Sequence, residues 1–215
     1  MSPLLTYSNL LFLLEGLSLT LFISLAVIIL STLFGTLLAV MRNSHSKPLG
    51  LIASIYIEFV RNVPNLLWIF IIFLVFKMES ITAGITAFTV FTSAALAEII
   101  RGGLNAVNHG QTEAGLSQGF THFQVFCLTI FPQAFRKMLP AIISQFVTVI
   151  KDTSLLYSVL AIQELFGNSQ ILMGRYFEPK DVFLLYGIVA GLYFLINMSI
   201  SQFSRTLAKK WAQAN

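Results

Sequence analysis

Between Glu15 and Arg42 the chain carries no charged residue. The residues from Gly16 to Met41 number 26; as α-helix they would measure about 39 Å, against a bilayer core of about 30 Å. This predicts a tilted membrane span. Composition carries the same reading across all 215 residues: 56% are hydrophobic and only 10% charged, 13 basic and 9 acidic. A water-soluble domain carries about 25% charged residues because its surface faces water, so a soluble globular body is excluded. Disorder is excluded too, since it requires low hydrophobicity.

An all-α membrane protein of about five spans fits this length, as one transmembrane domain over residues 1–215 with no room for a large soluble domain. The first span contains the uncharged run. Met1 to Leu10 holds no Lys or Arg, and that run is too long for a signal peptide, so it is expected to be retained. The second span runs from about Leu49 to Phe76, interrupted by Glu58, Arg61 and Pro64. The third covers about Ile81 to Leu104 and ends in Glu98, Arg101 and Gly102–Gly103. A polar stretch, Asn105 to Thr121, follows. The fourth runs from near Gln133 to about Ile150, is broken at Lys151–Asp152 and continues to Ile162. A polar loop from Gln163 to Asp181 leads to the fifth, Val182 to Ser204.

Five spans place the termini on opposite sides. One set of loops holds Arg42, Lys47, Arg136, Lys137, Arg205, Lys209 and Lys210; the other holds Lys77, Arg175 and Lys180. The more basic side is cytoplasmic, which predicts N-terminus out, C-terminus in, and the Asn105–Thr121 stretch in the cytoplasm. The net charge of +4 is read as membrane anchoring and contact with lipid rather than nucleic-acid binding. Trp211 and Tyr176 near span ends suit interface anchors.

The sequence has no P-loop, no H-E-x-x-H and no G-x-S-x-G. His45, His109 and His122 form no metal-ligand pattern, and Cys127 is the single cysteine. This chain is expected to be no enzyme by itself and to hold no cofactor. A transport path, a channel, or a membrane subunit of a larger assembly remains.

Ionisable residues inside spans mark sites, because isolated charge in lipid costs several kcal/mol. Glu58 and Arg61 share a helix face at i,i+3, as do Glu98 and Arg101. The plain reading is that each pair neutralises itself and packs the bundle. Lys151 and Asp152 are adjacent and point apart, and Thr153 and Ser154 add hydroxyls at the same level. Lys151 can snorkel outward. Transporter sites are built at such helix breaks, so Glu98, Asp152 and Ser154 are the candidate solute-binding residues. Gly187 and Gly191 form G-x-x-x-G, a spacing that lets helices approach closely.

The segment from Glu113 through Ala114, Gly115 and Gly119 to Pro132 resembles the EAA loop of ABC importer permeases, E-A-A-x-x-x-G followed after nine residues by I-x-L-P. Glu113, Ala114, Gly119 and Pro132 match in register; Gly115, Thr129 and Phe131 depart from the pattern. Gly16 to Ser24, Glu58 to Pro64 (EFVRNVP), Ala97 to Leu104 (AEIIRGGL), Lys151 to Leu155 (KDTSL) and Glu164–Leu165 resemble, in order, segments of the polar amino acid subfamily, the histidine, glutamine and arginine type. The resemblance spans about residues 16 to 205.

That resemblance implies the ABC type I importer permease fold and a division of labour. A second permease subunit, identical or homologous, would complete the pore. An ABC ATPase dimer beneath would hold ATP and Mg²⁺, and an extracytoplasmic binding protein would deliver a polar amino acid. The location would be the bacterial cytoplasmic (inner) membrane. Residues 105–132 would be the cytoplasmic coupling segment. Glu113 near a helix N-terminus suits the dipole, and Gly119 can take a positive φ and turn the chain. Phe120, Phe123 and Phe126 repeat every three residues. They either offer an apolar face to a partner groove or pack against the chain's own spans. An ATP-independent secondary transporter or channel, and a scaffold subunit without a path, are the rival classes.

Overall fold

The structure, a computed structural model, describes residues 3–44 and 46–213. His45 and the side chains of Lys209 and Trp211 lie outside the described residues.

Helix α1 spans Tyr7–Arg42, opened by Thr6, whose hydroxyl accepts from the Asn9 amide at 3.3 Å. Its buried face is rich in small residues, Gly16, Thr20, Ser24, Ser31, Gly35 and Ala39, interspersed with Leu13, Ile23 and Val27. Its large side chains, such as Phe22, Leu25, Leu33 and Leu37, point outward. This inverts a soluble helix. Lipid tails are as apolar as leucine, so helices associate through close contact of small residues and not by expelling water. The partner is α4, Ser80–Asn105, which buries Ala83, Gly84, Ala87, Ser93, Ala94 and Ala97. The approach is tight at Gly35, where an added Cβ would lie 2.9 Å from both the Leu96 Cβ and the Ser93 carbonyl oxygen.

The expected second span is two helices. α2, Lys47–Asn62, ends at Val63, which is extended (φ −103°, ψ 133°). α3 starts at Asn65 and continues through a π-helical turn to Val75, bent 106° from α2. Pro64 lacks an amide hydrogen and its ring excludes the helical conformation for the residue before it. The Trp68 indole bonds back to the Val60 carbonyl at 3.4 Å across the bend.

After α4 come two short helices, α5 (Gly110–Ser117) and α6 (His122–Val125). A π-helical turn, Phe126–Ile130, leads into α7, Phe131–Asp152. α8 (Leu155–Leu160) follows after the expected break and ends at Ala161 in the left-handed region (φ 52°). The stretch expected as a polar loop, Gln163 to Asp181, contains a buried helix, α9 (Leu165–Met173). Its polar residues serve the fold: Glu164 caps it and the Asn168 amide donates to the Phe12 carbonyl. α10 runs Pro179–Gln213. Four helical stretches are long and apolar enough to cross a membrane, or five when the bent α2–α3 pair is one span. Among the described residues there is no strand.

Candidate translocation face and coupling segment

Of the two expected i,i+3 pairs, one forms within its own helix and the other does not. Glu58 on α2 meets Arg42 of α1 at 3.1 Å, and Arg61 meets Glu98 of α4 at 3.6 Å. Glu58 and Arg61 are thus no self-contained pair, because residues from other helices reach each of them first. Glu98 and Arg101 do pair: Arg101 Nε and Nη2 fork onto the two Glu98 oxygens at 3.0 and 2.9 Å. Arg42 also bonds Glu98. One carboxylate, its side chain 16% exposed, therefore collects three guanidinium groups from three helices.

The structure does not bring Glu98 together with Asp152 and Ser154. Gly103 of α4 sits beside Met138 of α7, and Gly84 beside Leu156 of α8, so α4 runs antiparallel to the α7–α8 stretch. Counting along them at 1.5 Å per residue, Glu98 and Asp152 lie roughly 15 Å apart down the bundle. Ser154 and Lys151 instead line a cavity of about 310 Å³ with Phe166, Tyr186 and Tyr193. Thr153 is buried and donates to the Ile150 carbonyl at 2.8 Å, which closes the end of α7. Lys151 is exposed and Asp152 half-buried.

Below this cavity α7 presents a polar face. Lys137, Ala141, Ser144, Thr148 and Lys151 recur at intervals of three and four, so they share one side of the helix. All but the half-buried Thr148 are exposed. A second cleft, about 240 Å³, lies between this helix and α10 and is lined by Pro140, Ser144, Ser201, Ser204 and Arg205. Polar groups at membrane depth must meet water or protein, because the bilayer core satisfies no hydrogen bond.

Residues missed by sequence reasoning form a third group. Glu164 is fully buried and accepts four hydrogen bonds. The Gly167 and Phe166 amides donate at 2.7 and 3.1 Å, Tyr193 at 3.0 Å and Thr20 at 3.2 Å. The sequence signal was a lone carboxylate immediately before an apolar run, the position of an N-cap.

The 105–132 segment is built on a defined turn. α5 carries Glu113 in its first turn, as the dipole favours. It ends in a Schellman motif: the Phe120 amide bonds the Gly115 carbonyl at 3.2 Å and the Gly119 amide bonds Leu116 at 3.0 Å. Gly119 has φ 85°, the expected positive value. Thr121 and Gln124 form a capping box that starts α6. Gly115, where the EAA pattern has alanine, packs on Val125; an added Cβ would lie 2.7 Å from its Cγ2. Glu113, Ala114, Phe120 and Pro132 are exposed, and Phe123 is 76% exposed. The Phe120–Phe123–Phe126 stripe therefore does not pack into this chain's own core. Contacts that tie the segment to α7 include Lys137 Nζ to the Ala106 carbonyl, and Gln133 to Gln111 at 3.2 Å.

Residues 31–213 match the binding-protein-dependent transport system inner membrane component family. Over 204 residues the chain is 39% identical to the probable glutamine ABC transporter permease protein GlnP of Bacillus subtilis strain 168, covering 93% of each. Over 214 residues it is 34% identical to the glutamate/aspartate import permease protein GltK of Escherichia coli O157:H7, covering 94% of each. A chain of the crystal structure of an amino acid ABC transporter with histidines superposes with a TM-score of 0.86 at 31% identity, over 94% of this chain and 95% of that one. A chain of the inward-facing MetNI methionine ABC transporter shares the fold, with a TM-score of 0.72 at 17% identity over 96% and 99%. The membrane-crossing helices, the EAA-like turn at Gly119 and these matches converge: the chain is a multi-pass membrane permease belonging to the binding-protein-dependent transport system inner membrane component family.

Proposed function

We propose that the chain is the permease subunit of an ATP-driven ABC importer for polar amino acids. It supplies half of a translocation path and couples it to a separate ATPase. The observation that carries this reading is the α5–α6 hairpin, a short helix closed by Gly119 that leaves Phe120, Phe123 and Phe126 exposed at one end of the bundle. An apolar stripe on a rigid turn suits the groove of a partner protein. The glutamine and glutamate/aspartate names of its relatives favour a polar amino acid as solute.

In this reading ATP and Mg²⁺ belong to the partner ATPase dimer, and this chain hydrolyses nothing itself. Closure of the ATPase dimer pulls Glu113, Ala114, Gly119 and the Phe stripe, with Pro132 at the base of α7. The bundle then switches from inward- to outward-facing, and hydrolysis resets it. The two states must differ in their contacts with solute or nucleotide, or no shift occurs. A second permease subunit, identical or homologous, covers the polar face of α7. The solute, delivered by an extracytoplasmic binding protein, passes Asp152 and Ser154. The N-terminus lies outside and the C-terminus in the cytoplasm, in a bacterial inner membrane.

The test is a mild-detergent pull-down of the tagged chain from its own membranes, read by mass spectrometry. A stoichiometric P-loop ATPase is the expected companion. A chain that purifies alone, yet moves amino acids in liposomes without ATP, would establish a secondary transporter or channel instead.

A further inference from the structure

We infer that Glu98 is a positioning residue for transport: it ties the ends of α1, α2 and α4 into one body that carries the 105–132 segment. The inference rests on the importer reading above. Its basis is the placement of the charges. Arg42, Arg61 and Arg101 come from three different helices and converge on the two oxygens of one carboxylate. The other acid of the group, Glu58, is 58% exposed and meets Arg42 alone among the described residues.

At this level Ala39, Ile57 and Ala97 form a small cluster against which Leu38, Tyr56 and Ile100 pack, and the small residues of α1 and α4 give close approach. α2 is joined to α3 by a turn of 106°, across which the Trp68 indole bonds the Val60 carbonyl. Its position relative to α4 is held by side-chain contacts; the polar ones include the Arg61–Glu98 pair and the Tyr56 hydroxyl, which lies 3.1 Å from the Val90 carbonyl and 3.4 Å from the Ser93 hydroxyl. From Glu98, α4 continues to Asn105 and leads directly into α5. A displacement of α5 reaches α4 through backbone, and α1 and α2 through Glu98. Without that carboxylate, three guanidinium groups face one another with only an exposed Glu58 between them, and like charges separate. Glu98 lies about two to three helical turns from Asp152, the solute contact proposed above.

The experiment uses the whole importer in proteoliposomes and reads ATP hydrolysed per solute imported, together with kcat and KM for uptake. For Glu98→Gln the expected ratio rises about tenfold, the size of a coupling loss, while KM stays within about twofold for every solute transported. Arg61→Gln removes the loosest member of the cluster at a half-exposed position; it should raise the ratio in the same direction by less. A wild-type ratio in Glu98→Gln overturns the inference. So does a KM increase confined to particular solutes, which would make Glu98 a solute contact. If Glu98→Gln does not accumulate, Arg61→Gln decides, and a wild-type ratio there overturns the inference. Uptake by the unsubstituted complex that needs no ATP overturns the importer reading itself, and this inference with it.

Discussion

Thr20 Oγ1 donates to Glu164 at 3.2 Å and accepts from the Leu165 amide at 3.1 Å. One hydroxyl on α1 thereby joins both the cap and the first amide of α9, and Tyr193 reaches the same carboxylate from α10. Thr20, Glu164 and Leu165 are fully buried. The first half of α1 is thus fixed to α9 by a polar cluster.

Replacing Thr20 by valine tests that cluster with little change of shape. It removes both bonds and leaves the Leu165 amide without its partner. A buried unsatisfied donor costs about 1–3 kcal/mol. The expected result is a lower Tm in detergent, read by size-exclusion stability after heating. Serine at this position keeps the hydroxyl and should stay close to wild type. Equal thermal stability of the valine and wild-type proteins would remove the cluster from the list of what holds α9.

Gly119 offers the cleanest link from backbone to function. An added Cβ there has nothing within 4 Å, so a substitution acts through φ alone. At φ 85° a β-branched side chain is a genuine outlier. Gly119→Val should insert and assemble but hydrolyse ATP without import, whereas Gly119→Asn should retain much of its coupling, because asparagine tolerates the left-handed region. Proteoliposome uptake alongside phosphate release separates the two. Normal import by the valine variant would contradict the role assigned to the turn.

Gly119 was legible before any coordinates, because the spacing from Glu113 to Pro132 marks a turn and only glycine holds a positive φ cheaply. The uncharged run from Gly16 likewise located α1. The failures have a common cause. The i,i+3 rule describes one helix, so it could not see Arg42 and Glu98 reaching Glu58 and Arg61 from elsewhere. Pro64 was visible as an interruption, but the 106° bend depends on what α2 packs against. Gln163 to Asp181 looked like a loop because its Gln, Glu and Asn side chains are polar; in the structure Glu164 and Asn168 are spent on capping and on the Phe12 carbonyl.

The departure from alanine at Gly115 has a steric reason that mutagenesis can isolate. An added methyl would come within 2.7 Å of Val125 Cγ2. Overpacking of this kind costs about 1–3 kcal/mol when backbone must shift. Gly115→Ala should therefore destabilise the α5–α6 hairpin, seen as faster proteolysis at 105–125. Gly115→Ala combined with Val125→Ala should restore resistance, since the second change opens the space the first one fills. Additive losses in the double variant would show that the contact between them is not the cause.

Asp152 is the proposed solute contact whose role is most open to direct measurement. Its half-buried side chain stands at the break between α7 and α8; its neighbours Lys151 and Ser154 line the cavity with Tyr186 and Tyr193. An amino acid presents a cationic α-amino group, and a carboxylate at a helix break is suited to receive it. Asp152→Asn keeps the size and loses the charge. It should raise the apparent KM for uptake by about 10-fold or more, as expected for a charge-assisted hydrogen bond worth about 1.5–3 kcal/mol. Ser154→Ala, which removes a neutral hydroxyl already bonded to the Lys151 carbonyl at 2.9 Å, should have a smaller effect. Uptake kinetics in proteoliposomes, run with several polar amino acids, check both. If Asp152→Asn leaves KM and solute-stimulated hydrolysis unchanged for all of them, solute passes the helix break without touching this carboxylate, and the polar face of α7 at Ser144 and Thr148 becomes the place to look.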